Sequence, residues 1–304
     1  MKVYCGIDIG GTRVRIILID SSKQILAKDQ FSTLSGSGPT IFMEKLTATI
    51  QKILHRSGSD FELQSIGIGC TGPVDENTGV ILNPYTLGGL EGFGLTEAIN
   101  ACFQVPVYLD NDANTAHLGE IAAMGEAAPQ NTVILTMGTG VGVSIRVGGE
   151  IFRVPGGIHP EIGHIPAGII SDVTCYCGKR DCLENTTSGT AINRDSKRLF
   201  GLPPETVLDC CDTPEKQQFR ENLIAALTNS IAILTGIFNC ELVFIVGGMQ
   251  PFFDKYLIKE AQKRLSGLEN IFGGTKILSK ETSSISGSFG AAILAQDKFE
   301  RNYR

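Results

Sequence analysis

Four residues between positions 164 and 182 have side chains that bind metal ions. They follow the spacing H-x10-C-x-C-x4-C, and they are His164, Cys175, Cys177 and Cys182. Three thiolates and one imidazole form a closed tetrahedral zinc site, which is typical of structural zinc because no position is left for water. A redox pair is the alternative, but C-x-C differs from the C-x-x-C pattern of redox motifs. The spacing therefore predicts a Zn²⁺ site.

Two glutamates flank these metal-binding residues. Glu161 lies three residues before His164, and Glu184 lies two residues after Cys182. A metal-bound loop would hold both carboxylates in place, where they are suited to accept hydrogen bonds from neighbouring sugar hydroxyls. The alternative for either glutamate alone is a solvated surface residue. We interpret the pair as candidate sugar ligands.

The other three histidines are weaker candidates. His159 is positioned in the sequence to support this site from outside the ligand set. His55 ends a predicted helix and His117 lies on one, so we expect both at the surface.

The stretch DNDAN, residues 110–114, directly follows a predicted strand. Ligands of α/β proteins bind at this end of the strands. An aspartate there can accept a proton from a substrate hydroxyl, while an asparagine can orient neighbouring hydroxyls. A helix cap is the alternative, and it accounts for one of these side chains rather than for all of them.

The stretch DIGGTRVR, residues 8–15, has the features of a phosphate-binding turn. Gly10 and Gly11 let the backbone approach an anion closely, Thr12 adds a hydroxyl, and Asp8 can hold a hydrated Mg²⁺. An ordinary hairpin turn explains one such copy equally well. However, residues 131–147 repeat the pattern of residues 2–18, with a strand, a glycine-rich turn and a second strand. The repetition favours phosphate binding by a duplicated β-hairpin, with one copy in each domain and the two turns gripping a polyphosphate.

These residues need a scaffold of alternating strands and helices, which predicts an α/β architecture. One helix is predicted from the spacing of Phe42, Leu46, Ile50 and Ile53, and residues 71–94 are predicted to be a long functional loop region. Strands are predicted near residues 2–8, 13–20, 24–31, 63–69, 241–249 and 275–278, and further helices near 115–124, 219–238 and 252–265 and at the end of the chain.

The composition is that of a globular protein with a sizeable core, since the 304 residues are 42% hydrophobic and 19% charged. The net charge of −6 argues against a nucleic-acid-binding surface, so we expect a small substrate. No run approaches the roughly 18 unbroken apolar residues of a membrane span, and we expect no leader peptide before the first strand. The odd number of cysteines, nine, favours a reducing cytoplasm.

In their order along almost the whole chain, these motifs resemble those of the ROK (repressor, open reading frame, kinase) family of sugar kinases. DIGGTRVR and MGTGVG are similar to its two phosphate motifs, DNDAN to its E/D-N-D-A-N motif, and FIVGGM to its adenosine-side glycine pair. PEIGHIPAG and CYCGKRDCLENTTSG match its signature E-x-G-H…C-x-C-G-x-x-x-C-x-E. The resemblance implies an α/β, two-domain actin-like or hexokinase-type (ribonuclease H-like) ATPase fold with duplicated β-hairpin phosphate motifs. The implied domains are a small N-terminal α/β domain (1–114), a large α/β domain with the zinc loop (115–285) and a C-terminal helix returning to the small domain (286–304).

The resemblance also implies a role for each motif residue. Asp112 would be the general base, and His164 would bind zinc with one ring nitrogen and the sugar with the other. The implied sugar ligands are Asn111, Asp112, Glu161, His164, Glu184, Thr86 and Gly72. The implied ATP contacts are Asp8, Gly10, Gly11, Thr12, Gly138, Thr139, Gly140, Gly247 and Gly248.

Two positions depart from the family pattern. Thr86 stands where many members have the asparagine of a P-N-L loop, as it does in some members that phosphorylate N-acetylmannosamine. Asp181 stands where glycine is usual in the zinc loop. By contrast, GHIPAG, CLENTTSG and SISGSFGAAILAQDKF look most like the D-allose kinases of the family.

The resemblance therefore implies an ATP-dependent hexose kinase that uses Mg²⁺ and Zn²⁺ and acts at the 6-hydroxyl, with a D-allose-type substrate favoured. N-acetylmannosamine, glucose and fructose are the alternative substrates. A sugar-responsive transcriptional repressor and a non-catalytic sugar-binding scaffold are the alternatives from other classes, although the phosphate motif begins at Asp8 and leaves no room before it for a DNA-binding domain. The expected partners are sugar and ATP, with no nucleic acid and no membrane, and the expected assembly is a cytoplasmic homodimer.

Overall fold

A computed structural model describes residues 1–33, 36–55, 61–154, 159–268, 274–279 and 285–303. The chain divides into two compact units. The first unit comprises residues 1–128, 153–159 and 283–304, and the second comprises residues 129–152 and 160–282. The first unit therefore extends past residue 114, whereas the domain boundaries predicted from the sequence lie at 114 and 285. Those boundaries stay a prediction.

The described residues form twelve strands and ten α-helices. The strands are β1 (Lys2–Ile9), β2 (Arg13–Asp20), β3 (Ile25–Ser32), β4 (Glu62–Cys70), β5 (Val74–Asp75), β6 (Val80–Ile81), β7 (Val107–Asn111), β8 (Thr132–Met137), β9 (Val141–Val147), β10 (Glu150–Ile151), β11 (Leu242–Val246) and β12 (Lys276–Ser279). The helices are α1 (Gly38–His55), α2 (Leu95–Phe103), α3 (Asp112–Met124), α4 (Leu183–Thr187), α5 (Gly189–Phe200), α6 (Pro204–Cys210), α7 (Pro214–Phe238), α8 (Gln250–Tyr256), α9 (Ile258–Ser266) and α10 (Ser286–Tyr303).

The first unit is built on a sheet in the order β3-β2-β1-β4-β7. Strands β1, β2 and β3 pair antiparallel, whereas β4 and β7 continue the sheet in parallel with β1. Strands β1 and β4 are buried almost throughout, as expected for strands with both faces covered. The predicted apolar stripe of α1 packs into the core on one face, and residues of α10 pack against Tyr4, Ile17 and Ile19 in a separate cluster.

Helix α10 approaches the sheet and α3 so closely that its contact points require glycine, as two of them illustrate. A Cβ atom at Gly67 would lie 1.9 Å from the carbonyl oxygen of Ala291. A Cβ atom at Gly290 would lie 1.7 Å from the carbonyl oxygen of Thr115. Both distances are far shorter than any van der Waals contact, so the absence of a side chain sets the depth at which α10 packs.

The second unit repeats the topology of the first. Its sheet has the order β10-β9-β8-β11-β12, in which β8 and β9 form an antiparallel hairpin and β11 and β12 continue in parallel with β8. The hairpin β8–β9 therefore takes the place that β1–β2 has in the first unit. The structure confirms the duplicated hairpin that the sequence predicted.

Helix α7 is the one described helix that is long and apolar enough to cross a membrane, judged by length and composition. Half of its most apolar stretch is buried, and residues such as Leu223, Leu227 and Ile231 belong to the core of the second unit. Core helices often have this length and composition, so the helix is weak evidence for a membrane span.

Two expectations from the sequence were wrong. His117 is fully buried on α3, because this helix is covered by α10 rather than by solvent. The single helix expected near residues 252–265 is two helices, α8 and α9, which meet at Leu257. His55 is exposed at the end of α1, as predicted.

Candidate active site

The first unit holds Asp112 at the start of α3, directly after β7. The preceding Asn111 caps this helix, since its side-chain oxygen accepts a hydrogen bond from the N–H of Ala113 at 2.9 Å. A Cβ atom at Gly72 would lie 2.7 Å from Nδ2 of Asn111, so the predicted sugar contacts Gly72 and Asn111 are neighbours. The strand end and the cap together fix the position of the Asp112 backbone.

Asp110 has a structural role that the sequence did not reveal. Its buried carboxylate accepts hydrogen bonds from Nδ2 of Asn114 at 2.7 Å and from the guanidinium of Arg153 at 2.5 Å. Arg153 is 43 positions away in the sequence, so no local pattern connects the two residues. Asp110 and Asn114 are hydrogen-bonded to each other, and Asn111 caps the helix. Asp112 is therefore the acid of this motif that remains as a candidate base.

The pKa of Asp112 is raised above its ordinary value. Burial of the carboxyl group by surrounding protein atoms is the main cause, because it disfavours the charged form. The N–H of Ala113, the hydroxyl of Thr71 and the charge of His159 act in the opposite direction. A carboxylate with a raised pKa is a stronger base than an ordinary aspartate, which suits it to accept a proton from a hydroxyl.

Asp8 at the end of β1 lies close to Asp112. Burial and then the charge of Asp112 raise the pKa of Asp8 to about 6, while Arg15 lowers it. Nη1 of Arg15 lies 3.2 Å from Oδ2 of Asp8. The first unit thus brings two desolvated carboxylates together, an arrangement that suits a hydrated divalent cation.

The first glycine turn lies between β1 and β2, and it contacts the loop that carries Thr86. A Cβ atom at Gly11 would lie 3.3 Å from Cβ of Thr86. Thr86 is held by the buried Asn83, which donates to its hydroxyl at 2.7 Å and accepts from its N–H at 3.0 Å. Sequence reasoning missed Asn83, although the Asn-Pro pair that starts this turn is a local signal for it. Gly10, Gly11 and Thr12 form the turn, and the last two are exposed.

The second unit brings the four predicted metal ligands together. One donor atom from each of His164, Cys175, Cys177 and Cys182 lies within 4.8 Å of all the others. Sγ of Cys175 is 3.7 Å from Nδ1 of His164, which identifies Nδ1 as the ring nitrogen that faces the thiols. Ligands at about 2.0–2.3 Å from a tetrahedral Zn²⁺ lie close to this distance from one another. The donor set therefore fits zinc in number, chemistry and spacing.

Aspartate fits the zinc loop at position 181. Asp181 does not have the left-handed backbone conformation that would require glycine, unlike Gly178 in the same loop. Its carbonyl oxygen accepts a hydrogen bond from the N–H of Ala167 at 2.7 Å. The departure from the family pattern at Asp181 is accommodated without strain.

Glu184 links the zinc loop to the second glycine turn. Its Oε2 atom accepts a hydrogen bond from the N–H of Val141 at 2.9 Å, and a Cβ atom at Gly140 would lie 2.7 Å from the same oxygen. Glu161 is exposed, and its carbonyl oxygen accepts a hydrogen bond from the N–H of His164 at 3.0 Å. The second unit therefore groups Glu161, His164 and Glu184 around its zinc loop.

Tyr176 belongs to this group, and the sequence did not single it out. Its hydroxyl lies 2.7 Å from Nε2 of His164, and the two rings meet edge to face. Desolvation of the phenolic oxygen by the neighbouring groups, and then the charges of Glu184 and Glu161, raise the pKa of Tyr176 to about 12 although most of its ring is exposed. The phenol is therefore neutral near pH 7, and both carboxylates lie near it.

A cavity of about 600 Å³ opens beside the second glycine turn. It is lined by residues of that turn, by Gly248 and Met249, and by the first turns of α5, namely Gly138, Thr139, Gly189, Thr190, Asn193, Arg194 and Lys197. The N–H of Gly189 donates to the carbonyl of Gly138 at 2.7 Å, which places the N-terminus of α5 at the turn. A helix N-terminus favours phosphate, and the sequence analysis had missed this contribution from α5. Gly247 has a left-handed φ of 99°, and a Cβ atom there would lie 2.6 Å from the carbonyl oxygen of Met137.

Comparison with known proteins identifies the family. The sequence profile of the ROK family matches residues 4–298. The chain belongs to the ROK family. A glucokinase from Halalkalibacterium halodurans is 34% identical over 194 residues, which are 63% of this chain and 58% of the glucokinase. An N-acetylmannosamine kinase from Escherichia coli is 28% identical over 293 residues, which are 95% of this chain and 97% of that kinase.

Among solved structures, a ROK hexokinase from Thermus thermophilus has a similar fold. The TM-score is 0.81 at 25% sequence identity, over 98% of this chain and 99% of that one. The predicted actin-like, hexokinase-type fold is confirmed. The prediction of a ROK-family carbohydrate kinase is also confirmed, while the hexose itself is a matter of proposal.

Proposed function

We propose that this ROK-family kinase transfers the γ-phosphoryl group of Mg–ATP to the 6-hydroxyl of a hexose. The observation that carries the proposal is the position of Asp112, which is desolvated at a strand end, held by a helix cap and adjacent to Asp8. A solvated surface aspartate or a simple cap would have neither the raised pKa nor a second acid beside it. The family and its kinase members support the same assignment.

In the proposed reaction Asp112 accepts the proton of the sugar hydroxyl as the hydroxyl oxygen attacks the γ-phosphorus. A new O–P bond forms, the bond between the γ-phosphorus and the β–γ bridging oxygen breaks, and ADP leaves with that oxygen. Mg²⁺, when bound, neutralises charge on the phosphates, and Asp8 would hold it through water. Most of the rate enhancement in such transfers comes from positioning and from electrostatic stabilisation.

For ATP, each glycine turn offers backbone N–H groups to phosphate oxygens. We assign Gly10, Gly11 and Thr12 of the first unit and Gly138, Thr139 and Gly140 of the second unit to this role. In the second unit the N-terminus of α5 adds a favourable dipole for phosphate. Gly248 borders the cavity beside the second glycine turn, and a Cβ atom there would meet no other atom within 4 Å, so we assign Gly248 and the adjacent Gly247 to the nucleoside side.

For the sugar, we assign Asn111, Asp112, Thr86 and Gly72 in the first unit and Glu161, His164 and Glu184 in the second. Zn²⁺ at His164, Cys175, Cys177 and Cys182 would order the loop and fix the tautomer of His164. Among the candidate hexoses we favour a D-allose-type substrate on the motif likeness, with N-acetylmannosamine, glucose and fructose as alternatives. We further propose that the enzyme is a cytoplasmic homodimer.

A coupled assay of ADP release tests this function. D-allose, N-acetylmannosamine, D-glucose and D-fructose are each supplied with Mg–ATP, and a reaction without sugar measures background hydrolysis. We expect sugar-dependent ADP release with the highest kcat/KM for D-allose, and ³¹P NMR of the product should show a 6-phosphate. Absence of sugar-dependent release with every sugar would refute the kinase assignment, and a higher kcat/KM for another sugar would replace D-allose.

A further inference from the structure

Tyr176 places a hydroxyl group among the residues proposed to bind the sugar. The side chain projects from the zinc loop between two of its cysteines, and the residue is 83% exposed. Its hydroxyl nevertheless lies 2.7 Å from Nε2 of His164, and its ring centroid lies 4.8 Å from that of His164. The side chain of Tyr176 is therefore positioned mainly by the hydrogen bond of its hydroxyl group, and little by packing of its ring.

The chemistry of His164 gives this hydrogen bond its direction. Nδ1 faces the thiol of Cys175, so a bound metal ion takes the Nδ1 lone pair and the ring proton is on Nε2. Nε2–H therefore donates to the phenolic oxygen of Tyr176. A tyrosine hydroxyl also has its own proton to donate, and Glu184, which lines the same pocket as Tyr176, offers a carboxylate acceptor.

A sugar hydroxyl would make the same two hydrogen bonds. It would accept from Nε2–H of His164 and donate to a glutamate, the same two roles that are open to the phenol. Nε2 of His164 carries a single proton, so it cannot donate a linear hydrogen bond to the phenol and to a sugar hydroxyl at the same time. The hydrogen bond from Val141 holds the carboxylate of Glu184 in place. Glu184 therefore stays beside the phenol and does not move to accept from a sugar hydroxyl elsewhere.

We infer that the hydroxyl of Tyr176 occupies the position of a sugar hydroxyl in the unliganded enzyme and that the bound sugar displaces it. The inference rests on the proposed function, and it makes Tyr176 a built-in competitor that weakens sugar binding. Because the ring is largely exposed, its outward rotation gives up little buried apolar surface. The hydrogen bonds lost by the phenol are therefore the main cost of displacement.

Replacing Tyr176 by phenylalanine removes the competing hydroxyl and keeps the ring. We expect Tyr176→Phe to tighten sugar binding about 2- to 10-fold, the range that one net hydrogen bond implies. Isothermal titration calorimetry with the best sugar of the panel, without nucleotide, measures this change in Kd. Tyr303→Phe, at another exposed tyrosine, is the matched control and should leave the Kd unchanged.

The outcomes separate the inference from the function on which it rests. Weaker binding by Tyr176→Phe would show that the hydroxyl is a sugar ligand, and unchanged binding would show that it does not compete; either result overturns the inference. In both cases the wild-type enzyme still phosphorylates the sugar. A wild type that neither binds nor phosphorylates any sugar would instead remove the proposed function.

A spectroscopic measurement detects the displacement itself. The chain has six tyrosines, so protein labelled with 3-fluorotyrosine gives a small set of ¹⁹F signals, and Tyr176→Phe assigns one of them. Saturating sugar should move the Tyr176 signal towards the position of a fully solvated fluorotyrosine and leave the Tyr303 signal in place. A Tyr176 signal that stays fixed at saturation would contradict the inference.

Discussion

Glu184 and Val141 are joined by a hydrogen bond of 2.9 Å between the carboxylate of a proposed sugar ligand and the backbone of a phosphate turn. The bond crosses 43 positions of sequence within the second unit. It fixes the carboxylate at the place where β9 begins, next to Gly140. A change in the turn must therefore shift the carboxylate of this proposed sugar ligand. We expect such a change to alter the binding of both sugar and ATP.

Gly140→Ala tests this relationship. The added Cβ would lie 2.7 Å from Oε2 of Glu184, so the carboxylate must shift and its bond to Val141 weakens. We expect KM for both sugar and ATP to rise about tenfold, as for the loss of a hydrogen bond to a charged group. Steady-state kinetics measures both constants. Gly267→Ala, whose Cβ would meet its nearest atom at 3.4 Å, is the control, and a rise in only one of the two KM values would argue against the coupling.

Asp112→Asn should remove the proton acceptor and leave the shape of the site. We expect kcat to fall by about three orders of magnitude, within the range for loss of a general base, while the sugar Kd measured by calorimetry stays within a few fold. Burial raises the pKa of Asp112, which means that its charged form is disfavoured in the folded state at neutral pH. The Asn variant should therefore be at least as stable as the wild type in a thermal melt.

Asp254→Asn is the control for this variant, because Asp254 is exposed on α8. Near-normal turnover by Asp112→Asn would remove Asp112 from its role. Equal loss of turnover in both variants would point to a general effect of charge.

The dependence of activity on pH should report the interaction between His159 and Asp112. Asp112 must be ionised to act as a base, so kcat/KM falls on the acid side as its carboxylate takes up a proton. Protonated His159 lowers the pKa of Asp112, so His159→Gln should move this acid limb to higher pH and leave the plateau at high pH unchanged. Profiles of kcat/KM across the acid limb measure the shift.

His55→Gln is the matched control for the pH profiles, because His55 is exposed at the end of α1. Superimposable profiles for the wild type and His159→Gln would show that His159 does not act on the base. A shift of the acid limb to lower pH would also contradict the prediction, because removing a positive charge near a carboxylate raises the pKa of that carboxylate.

Removal of one zinc ligand should separate metal binding from sugar binding. Cys182→Ser replaces a thiolate with a poor zinc ligand, so we expect loss of bound zinc, measured per chain by atomic absorption. Sugar affinity should weaken about tenfold, because His164 and Glu184 lose the loop that orients them. Cys102→Ser, at an exposed cysteine of α2, should retain both metal and affinity. A Cys182→Ser variant that loses zinc yet binds sugar normally would show that the metal does not order this site.

The features that the sequence predicted well are local ones. The glycine turns follow their own strands directly, and three of the four proposed zinc ligands lie within eight residues, so spacing alone was informative. The helix of Phe42, Leu46, Ile50 and Ile53 was likewise predicted from its own periodicity, and all four residues are buried.

The features that the sequence did not reveal depend on contacts between distant segments. The ion pair of Asp110 and Arg153 and the burial of His117 require the folded arrangement of strands and helices. Tyr176 escaped attention because a tyrosine between two cysteines has no distinctive pattern, and its contact with His164 comes from the fold of the loop. The polar stretch at 110–114 contains several candidates for catalysis, and only the structure shows that Asp110, Asn111 and Asn114 have structural hydrogen bonds, which leaves Asp112 as the proposed base.

The deep packing of α10 bears on how the protein is made. The hydroxyl of Ser286 donates to the buried carboxylate of Glu120, 166 positions earlier, within the first unit. During synthesis one face of the sheet in the first unit therefore stays uncovered until α10 has been made, which happens after the second unit. A nascent chain that stalls after α9 would leave that apolar face exposed, and exposed apolar surface makes a partly folded chain prone to aggregate.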